Sequence, residues 1–451
     1  MQRWLTLAGA LCVLEANAQD PVTIEQAVTQ AAERYPAVKA SLEQVSAAAA
    51  GVQLARTAFL PRADFNAQLN RATRNNILGL TLPNSGLPSI SGPVLGTNGM
   101  TNVWGSAVGL GVTWEPLDFG LRQAGIGVAE AGTSRARAAV ARTKFEASAA
   151  AADAFLTILA AEQLARSAKA SVDRASVLEQ YVGALVKAEL RPGADLSRSR
   201  AEGAMARTQT IQAEQTINVA KAALTQFLGG AASGISVAGA AFHRAPPDAL
   251  GDGSGHPALA EQTAAMDEVR ARERVLDKSY YPRFTTQADL YARGSGARID
   301  GTTGNAAVSG LGPNIQNWAL GIAVTFPLMD LPALRVKKEI EASKGRAESA
   351  RFDQIARDIK ANVAKAMATL DGARHVAGNT PVALDAARQG EVQAAARYKA
   401  GLGTLIEVAE AQRLLTQTEI DDSLARLNIW RALFQLAVAQ GDLAPFLAVA
   451  K

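Results

Sequence analysis

Four segments of the chain switch their polarity from a helical period to a period of two, and they fall into two matching pairs. In residues 62–71, Ala63, Phe65, Ala67 and Leu69 alternate with Asp64, Asn66, Gln68 and Asn70. In residues 104–114, Trp104, Val108, Leu110, Val112 and Trp114 alternate with Gly105, Ala107, Gly109, Gly111 and Thr113. The second pair repeats the pattern: Phe284, Ala288 and Leu290 against Thr285, Gln287, Asp289 and Tyr291, then Trp318, Leu320, Ile322, Val324 and Phe326 against Asn317, Ala319, Gly321, Ala323 and Thr325. Such alternation belongs to strands with one apolar and one polar face. Each segment has the roughly 10 residues that a tilted strand needs to cross a bilayer. Aromatic residues stand at the strand ends (Trp104, Trp114, Trp318, Phe326), as in an interfacial girdle. A half-buried strand of a soluble sheet explains any one of these segments, but explains four of shared length and end aromatics poorly. Four strands cannot close a barrel, since the smallest have about 8. Sheet edges cannot be left bare in lipid, so the chain is expected to oligomerise.

The pairing of segments reflects a duplication of the whole chain. Tyr35-Pro36-Ala37 recurs as His256-Pro257-Ala258, and Leu60-Pro61-Arg62 as Tyr281-Pro282-Arg283, both 221 residues later. Beyond the strands the offset becomes 212: Asp118 matches Asp330, Lys187-Ala188 matches Lys399-Ala400, Asp195-Leu196 matches Glu407-Val408, and Gly229 matches Gly441. The organisation this predicts is a first repeat over 19–228, a Gly/Ala/Ser/Pro-rich linker over 229–255 with one short strand near 235–238, and a second repeat over 256–451. The strands are expected at about 62–73, 104–115, 283–293 and 317–327. Residues 75–103 and 294–316, dense in Gly, Asn, Ser and Thr, suit long outward loops.

The rest reads as helix. Thr23 and Gln26 form a capping box for a helix over 23–35, and a second helix over 37–59 stops before Pro61. Residues 121 to about 168 contain no Pro and make a rod of roughly 70 Å; 334 to about 370 behaves likewise. Breaks are expected after each, marked in the second repeat by Gly372, Gly378 and Asn379-Thr380-Pro381. The returning helix carries a seam of Ile420, Leu424, Leu427, Trp430, Phe434 and Ala437 suited to coiled-coil packing, with Gln412, Gln417, Asp421, Asp422 and Arg426 facing water. Hydrophobic residues are 48% of the chain and aromatics only 5%, so thin Ala-rich seams are expected rather than bulky aromatic cores.

Residues 1–18 read as an export signal: Arg3, an apolar run too short to span a membrane, and Ala16-Asn17-Ala18, with cleavage after Ala18. Cleavage removes Cys12, the only cysteine, and Leu11 before it is a poor lipidation signal. No disulfide follows. With 46 basic and 42 acidic residues and no like-charge run, the chain has no nucleic-acid signature. Three His, six Met and one Cys offer little for a metal or thiol centre, and no phosphate loop is present. No catalytic set stands out, so neither an enzyme nor a cofactor is expected.

With these residues in place, the sequence resembles the outer-membrane efflux protein family, the TolC-like channel-tunnels. The resemblance is most specific in Arg397-Tyr398-Lys399-Ala400-Gly401-Leu402-Gly403-Thr404-Leu405-Ile406-Glu407-Val408 with Ala411-Gln412, and is degenerate in Val186-Lys187-Ala188-Glu189-Leu190 with Asp195-Leu196. Trp114-Glu115-Pro116-Leu117-Asp118 and Phe326-Pro327-Leu328-Met329-Asp330 also fit the family as strand exits. The first repeat departs at Arg191-Pro192-Gly193, where the second has Gly403-Thr404. The resemblance implies a mainly α chain with membrane β: a homotrimer whose protomers each give four strands to a 12-stranded barrel, continuous with an α-helical barrel. It also implies a Gram-negative outer-membrane location with a large periplasmic part, a periplasmic adaptor and an inner-membrane pump.

The expected function is a passive conduit across periplasm and outer membrane, for efflux or type I secretion. Asp64, Asn66, Gln68, Asn70, Gln287 and Asp289 are expected to line the barrel. Phe65, Leu69, Trp104, Leu110, Trp114, Phe284, Leu290, Trp318, Ile322 and Phe326 are expected to face outer-membrane lipid. A gate is expected where the hairpins end, placed at 161–168 and 371–385, with Asp371 and Asp385 as candidates and Asp153 behind; a ring of carboxylates would favour cations. Solvated helix carboxylates are the competing reading. His375 reads as a surface residue, and Asp118 and Asp330 as turn or helix-start residues. The competing function is a soluble exported coiled-coil adaptor without a barrel.

Overall fold

The computed structural model describes residues 21–73, 102–229, 234–247, 255–296 and 308–451. The signal, Cys12, most of both strand-connecting loops and part of the linker lie outside the described residues. In chain order the elements are α1 (Ile24–Arg34), α2 (Pro36–Thr57), β1 (Arg62–Thr73), β2 (Asn102–Leu117), α3 (Leu121–Lys187), α4 (Gly193–Leu228), α5 (Pro257–Lys278), β3 (Arg283–Ser295), β4 (Ile315–Thr325), α6 (Leu331–Lys399), α7 (Leu405–Gln440) and α8 (Ala444–Val449).

The duplication is visible element by element. The matched prolines Pro36 and Pro257 begin α2 and α5, each 22 residues long; at the first helical position a proline forfeits no intrahelical bond. Each helix leads into two strands, then a helix of 67 or 69 residues, then one of 36 residues. The capping box of α1 is formed: Gln26 N–H donates to Thr23 Oγ1 at 3.2 Å and Thr23 N–H to Gln26 Oε1 at 3.0 Å. The expected linker strand is a single parallel bridge, Val22 with Val237.

The helical hairpins turn elsewhere than the sequence suggests. α3 does not end near 168 but continues to Lys187, and α6 runs unbroken through Gly372, Gly378 and Pro381. Pro381 removes one backbone donor, a cost of about 3 kcal/mol in an unsupported helix. Here Leu370, Leu384 and Ala387 on either side are buried, and Thr380 Oγ1 donates to the buried Asp422 at 3.0 Å. These local contacts outweigh one breaker. Asp422 was expected in water; it is instead the acceptor of that contact.

The true turns are duplicates of each other. Leu190 N–H donates to Leu185 O and Leu402 N–H to Arg397 O, both at 2.9 Å. In each turn the preceding residue is left-handed, Glu189 at φ 58° and Gly401 at φ 75°, in the manner of a Schellman stop. Thr404 then caps α7, accepting from Glu407 N–H. Glu189, not being glycine, gives no signal for this conformation; the only local mark of the first turn is Pro192-Gly193 just beyond it.

The chain forms two compact units, and each draws on both repeats, so the copies do not fold as separate bodies. One unit comprises residues 1–43, 138–261 and 353–451. Its centre is aromatic: Trp430 meets Phe242 at 5.3 Å and Phe446 at 6.4 Å, Phe434 meets Phe446 at 5.5 Å, and Phe155 meets Phe242 at 6.0 Å. All five rings are buried. Few aromatics overall still permit a local aromatic core, because five side chains that each bury 150–250 Å² suffice to fill one. The other unit, residues 44–137 and 262–352, holds the sheet and the adjoining helix ends.

His256 closes the first unit at the start of α5. Its Nδ1 accepts from Ala258 N–H at 3.2 Å, its ring lies edge-on to Phe145 at 5.8 Å, and Gly441 (φ 82°) packs so close that a Cβ there would fall 2.6 Å from His256 Cα. Burial, then the charge of Arg142, holds His256 below the ordinary imidazole pKa, with Glu146 working against them. The folded state therefore binds fewer protons than the unfolded one. The stability this gives is complete above the unfolded value of about 6.5 and is lost as pH falls through the folded value. We expect thermal melting to drop between pH 7 and pH 5 more steeply in the wild type than in His256→Asn, which can still cap α5 but does not titrate; equal slopes would remove His256 as the cause.

Candidate functional site

The four strands pair antiparallel in the order β1-β2-β3-β4, so β1 and β4 are both edges. The register brings the expected residues together by face. Phe65, Leu110, Leu290 and Trp318 form one continuous row across all four strands. Ala63, Val112, Ala288 and Leu320 form the next. On the opposite face Asp64, Gly111, Asp289 and Ala319 are aligned, beside Asn66, Gly109, Tyr291 and Asn317. Gln68 pairs with Ala107, and Asn70 holds the register position opposite Gly105.

Burial of these faces is the reverse of a soluble sheet. Phe65 is 70% exposed and Trp318 79%, whereas Gln287 and Asp289 are each 6% exposed. Leu69, Leu110, Trp114, Leu290, Ile322 and Phe326 are exposed too; Trp104 and Phe284 are half-buried, Trp104 under the Arg71 guanidinium at 5.2 Å and Phe284 against Phe119 at 6.1 Å. The curl of the polar face depends on small residues in β2. At Gly109 a Cβ would lie 2.7 Å from the Tyr291 Cβ. Gly109 thus gives the Tyr291 side chain its place.

The strand exit of β2 is fixed by Asp118. It accepts from Gly120 N–H at 3.1 Å, Arg122 N–H at 2.7 Å and Arg122 Nε at 2.8 Å, and so caps α3. Burial pushes its pKa up, but the Arg122 backbone and guanidinium and the Gly120 N–H outweigh it, and the net direction is down. Around it, Trp114 Nε1 donates to Phe59 O at 3.1 Å, Arg122 sits over the Phe59 ring at 4.6 Å, and Phe119 stacks on Tyr281 at 5.4 Å.

The second functional region is where the two hairpins turn. Arg191 lies over the buried Tyr398 ring at 4.6 Å and donates from Nη2 to Tyr398 O at 3.2 Å. Tyr398 Oη donates to Asp195 Oδ2 at 3.4 Å, and Tyr181 packs edge-on at 6.4 Å. Burial first, and then Asp195, raise the Tyr398 pKa, so the phenol stays a donor. Further along, Arg174 of α3 grips Glu419 and Thr416 of α7, and Arg413 of α7 pairs with Glu202 of α4 at 3.0 Å. Leu190 (69% exposed) and Leu402 (74%), partners in the duplication, protrude from the two turns.

The candidate gate residues are not here. Asp385 and Asp371 lie 14 and 28 residues before Lys399, the end of α6, and Asp153 lies 34 before Lys187, the end of α3. All three are exposed; Asp385 accepts from Gln389 at 2.9 Å, and Asp371 faces His375 at 3.5 Å. The turn signals that placed a tip at 371–385 are overridden by the continuity of α6. Arg191, read from sequence only as a departure from the second repeat, is the residue that ties the turns together. Among the described residues no group of His, Cys, Asp and Glu could hold a metal ion, and no helix is long and apolar enough to cross a membrane.

A chain whose sheet shows lipid-type side chains outward and whose helices form paired long hairpins has the fold of a channel-tunnel protomer. The sequence pattern of the outer membrane efflux protein family matches residues 27–230 and 254–442, and the chain belongs to that family. Its fold is similar to the outer membrane protein VceC of Vibrio cholerae (14% identity, TM-score 0.71, covering 93% of this chain and 96% of that one). It is also similar to the CmeC outer membrane channel of Campylobacter jejuni (12%, 0.72, 93% and 85%) and to the outer-membrane channel OprN (16%, 0.71, 93% and 89%). Among curated protein sequences none matches the chain.

Removing the Arg191 side chain should loosen both turns without unfolding the helices. We expect Arg191→Ala to raise amide exchange at least several-fold around 185–195 and 396–406, consistent with the loss of about 1 kcal/mol of cation–π and hydrogen-bond energy. Exchange that stays at wild-type levels in both segments would show that Arg191 ties nothing.

Proposed function

We propose that three copies of this chain form a passive outer-membrane conduit that serves a tripartite efflux pump or a type I secretion system. One observation carries the reading: the sheet buries Gln287 and Asp289 and exposes the row Phe65, Leu110, Leu290 and Trp318. In water, this arrangement would waste several kcal/mol of hydrophobic burial. In lipid it is the stable one, with a polar face left for an aqueous lumen. The two unpaired edges, β1 and β4, supply the reason for oligomerisation: pairing β1 of each copy with β4 of the next turns three four-stranded sheets into a closed 12-stranded barrel. An export signal ending at Ala18 and a Gram-negative outer-membrane location fit the same reading.

Gating belongs with the hairpin turns rather than with Asp371, Asp385 and Asp153. Tyr398, Asp195 and Arg191 hold the two turns of a protomer together, and opening requires that tie to yield. Asp371 and Asp385, exposed on α6, would then contribute carboxylates along the conduit. The exposed Leu190 and Leu402 are the apolar contacts a periplasmic adaptor can seat on, and energy for transport comes from an inner-membrane pump. A soluble coiled-coil adaptor has no use for an exposed row of Phe, Leu and Trp.

Site-directed labelling tests the membrane reading. In outer membranes, Trp318→Cys and Ile322→Cys should resist a water-soluble maleimide and react with a lipid-soluble one, while Asn66→Cys and Asn317→Cys should react with the water-soluble reagent; the reverse pattern, or recovery of the protein in the soluble fraction, sinks it. Single-channel recording of Asp385→Asn should show reduced cation preference; unchanged selectivity would remove Asp385 from the conduit wall. Leu402→Asp should leave the conducting trimer intact and lower efflux in the presence of adaptor and pump at least tenfold, and unimpaired efflux would exclude the turn as the docking point.

A further inference from the structure

Beside the sheet, within the second compact unit, the helices form a cleft that neither the conduit nor the hairpin turns use. It has a volume of about 570 Å³ and is walled by Val128 of α3, Val275 and Leu276 of α5 and Ile340 of α6. Gly125 widens it, with nothing within 4 Å of where a Cβ would stand. Two charged residues of α6, Lys337 and Glu341, line the same cleft one helical turn apart. Glu341 Oε1 accepts from Lys344 at 2.7 Å, but Glu341 Oε2 is enclosed without any hydrogen-bond partner. The carboxylate is thus ion-paired through one oxygen and enclosed without a donor at the other, which is costly, and its torsion is soft enough to turn that second oxygen toward a donor in the cleft. Lys337 is exposed and has no ion-pair partner among the described residues, whereas the other cation of the cleft, Arg272, is held by Glu268.

The cleft therefore presents an apolar wall, a carboxylate oxygen without a donor beside the Lys344 pair, and a cation without an ion-pair partner among the described residues. Residues one turn apart on a helix stand about 5–6 Å apart at Cβ, which suits the short span between phosphate and ammonium in a phosphoethanolamine. The location agrees as well. The wall residues lie within ten residues of the helix ends that join the strands, Leu121 of α3, Lys278 of α5 and Leu331 of α6. That is about 3–15 Å along the helices, so the wall begins within the headgroup zone, roughly 5–7 Å deep beyond the hydrocarbon core, and the cleft runs outward from it.

We propose that this cleft is a headgroup site for an ethanolamine phospholipid of the leaflet through which the helices leave the membrane. The ammonium donates to Glu341, the phosphate pairs with Lys337, and an acyl chain lies along Val128, Val275, Leu276 and Ile340. The inference rests on the reading that the sheet lies in the bilayer.

Native mass spectrometry of the full-length protein in detergent, titrated with phosphatidylethanolamine, phosphatidylcholine or phosphatidylglycerol of one acyl composition, tests it. The wild type should retain phosphatidylethanolamine at about tenfold lower lipid concentration than phosphatidylcholine, whose trimethylammonium has no hydrogen to donate. Glu341→Gln should bring the two together, and Lys337→Ala should weaken both several-fold, with unchanged helix content in each variant. Equal retention of the two lipids by the wild type, or a preference that survives Glu341→Gln, overturns the site. So does stronger retention of phosphatidylglycerol, which would make the cleft an anion site on Lys337 alone. A protein that conducts and shows the membrane labelling pattern but no lipid preference loses only this inference; one that fails the labelling loses the conduit reading itself.

Discussion

Everything in this chain depends on a sheet that is solvated the wrong way round for water. The row Phe65, Leu110, Leu290 and Trp318 is largely exposed, Gln287 and Asp289 on the other face are buried, and β1 and β4 are both edges. An exposed apolar row and two bare edges are costly in water; the proposed conduit would set lipid against one face, water against the other and further copies at the edges. Gly109 of β2 is part of the same solution, since a side chain there would meet Tyr291 Cβ at 2.7 Å.

The helices answer a different problem. Two helices of 67 and 69 residues are rich in small side chains, which supply little burial per residue. The chain compensates locally. One aromatic cluster around Trp430 anchors the central region, and discrete polar ties (Arg174 to Glu419, Arg413 to Glu202, Arg191 to Tyr398) join helices of different hairpins. Ties of this kind can be broken and remade individually, whereas a continuous apolar core cannot.

Sequence reasoning succeeded where the signal is local and periodic. The four strands, which of their residues share a face, the Thr23 and Gln26 capping box and the paired prolines Pro36 and Pro257 are all legible because each follows from alternation, from recurrence or from a single cap geometry. It failed where local and tertiary preferences conflict. Gly372, Gly378 and Pro381 are ordinary stop signals, yet α6 passes through them because its flanking residues are packed. Glu189 gives no stop signal, yet it turns the chain. The same continuity places Asp371 and Asp385 inside α6 rather than at its end, and Arg191 reads in the sequence only as an irregularity.

The sequence by itself determined that this chain has two repeats, each with a membrane-type strand pair and long helices, and that four strands cannot be a complete barrel. These conclusions need only periodicity, strand counting and the cost of bare edges in lipid. The tertiary structure alone decided where the hairpins turn, which face of the sheet is enclosed, and which side chains meet across 200 residues of chain, as Arg191 and Tyr398 do. The reason is physical: those outcomes are set by packing between segments far apart in sequence, and no local pattern records them.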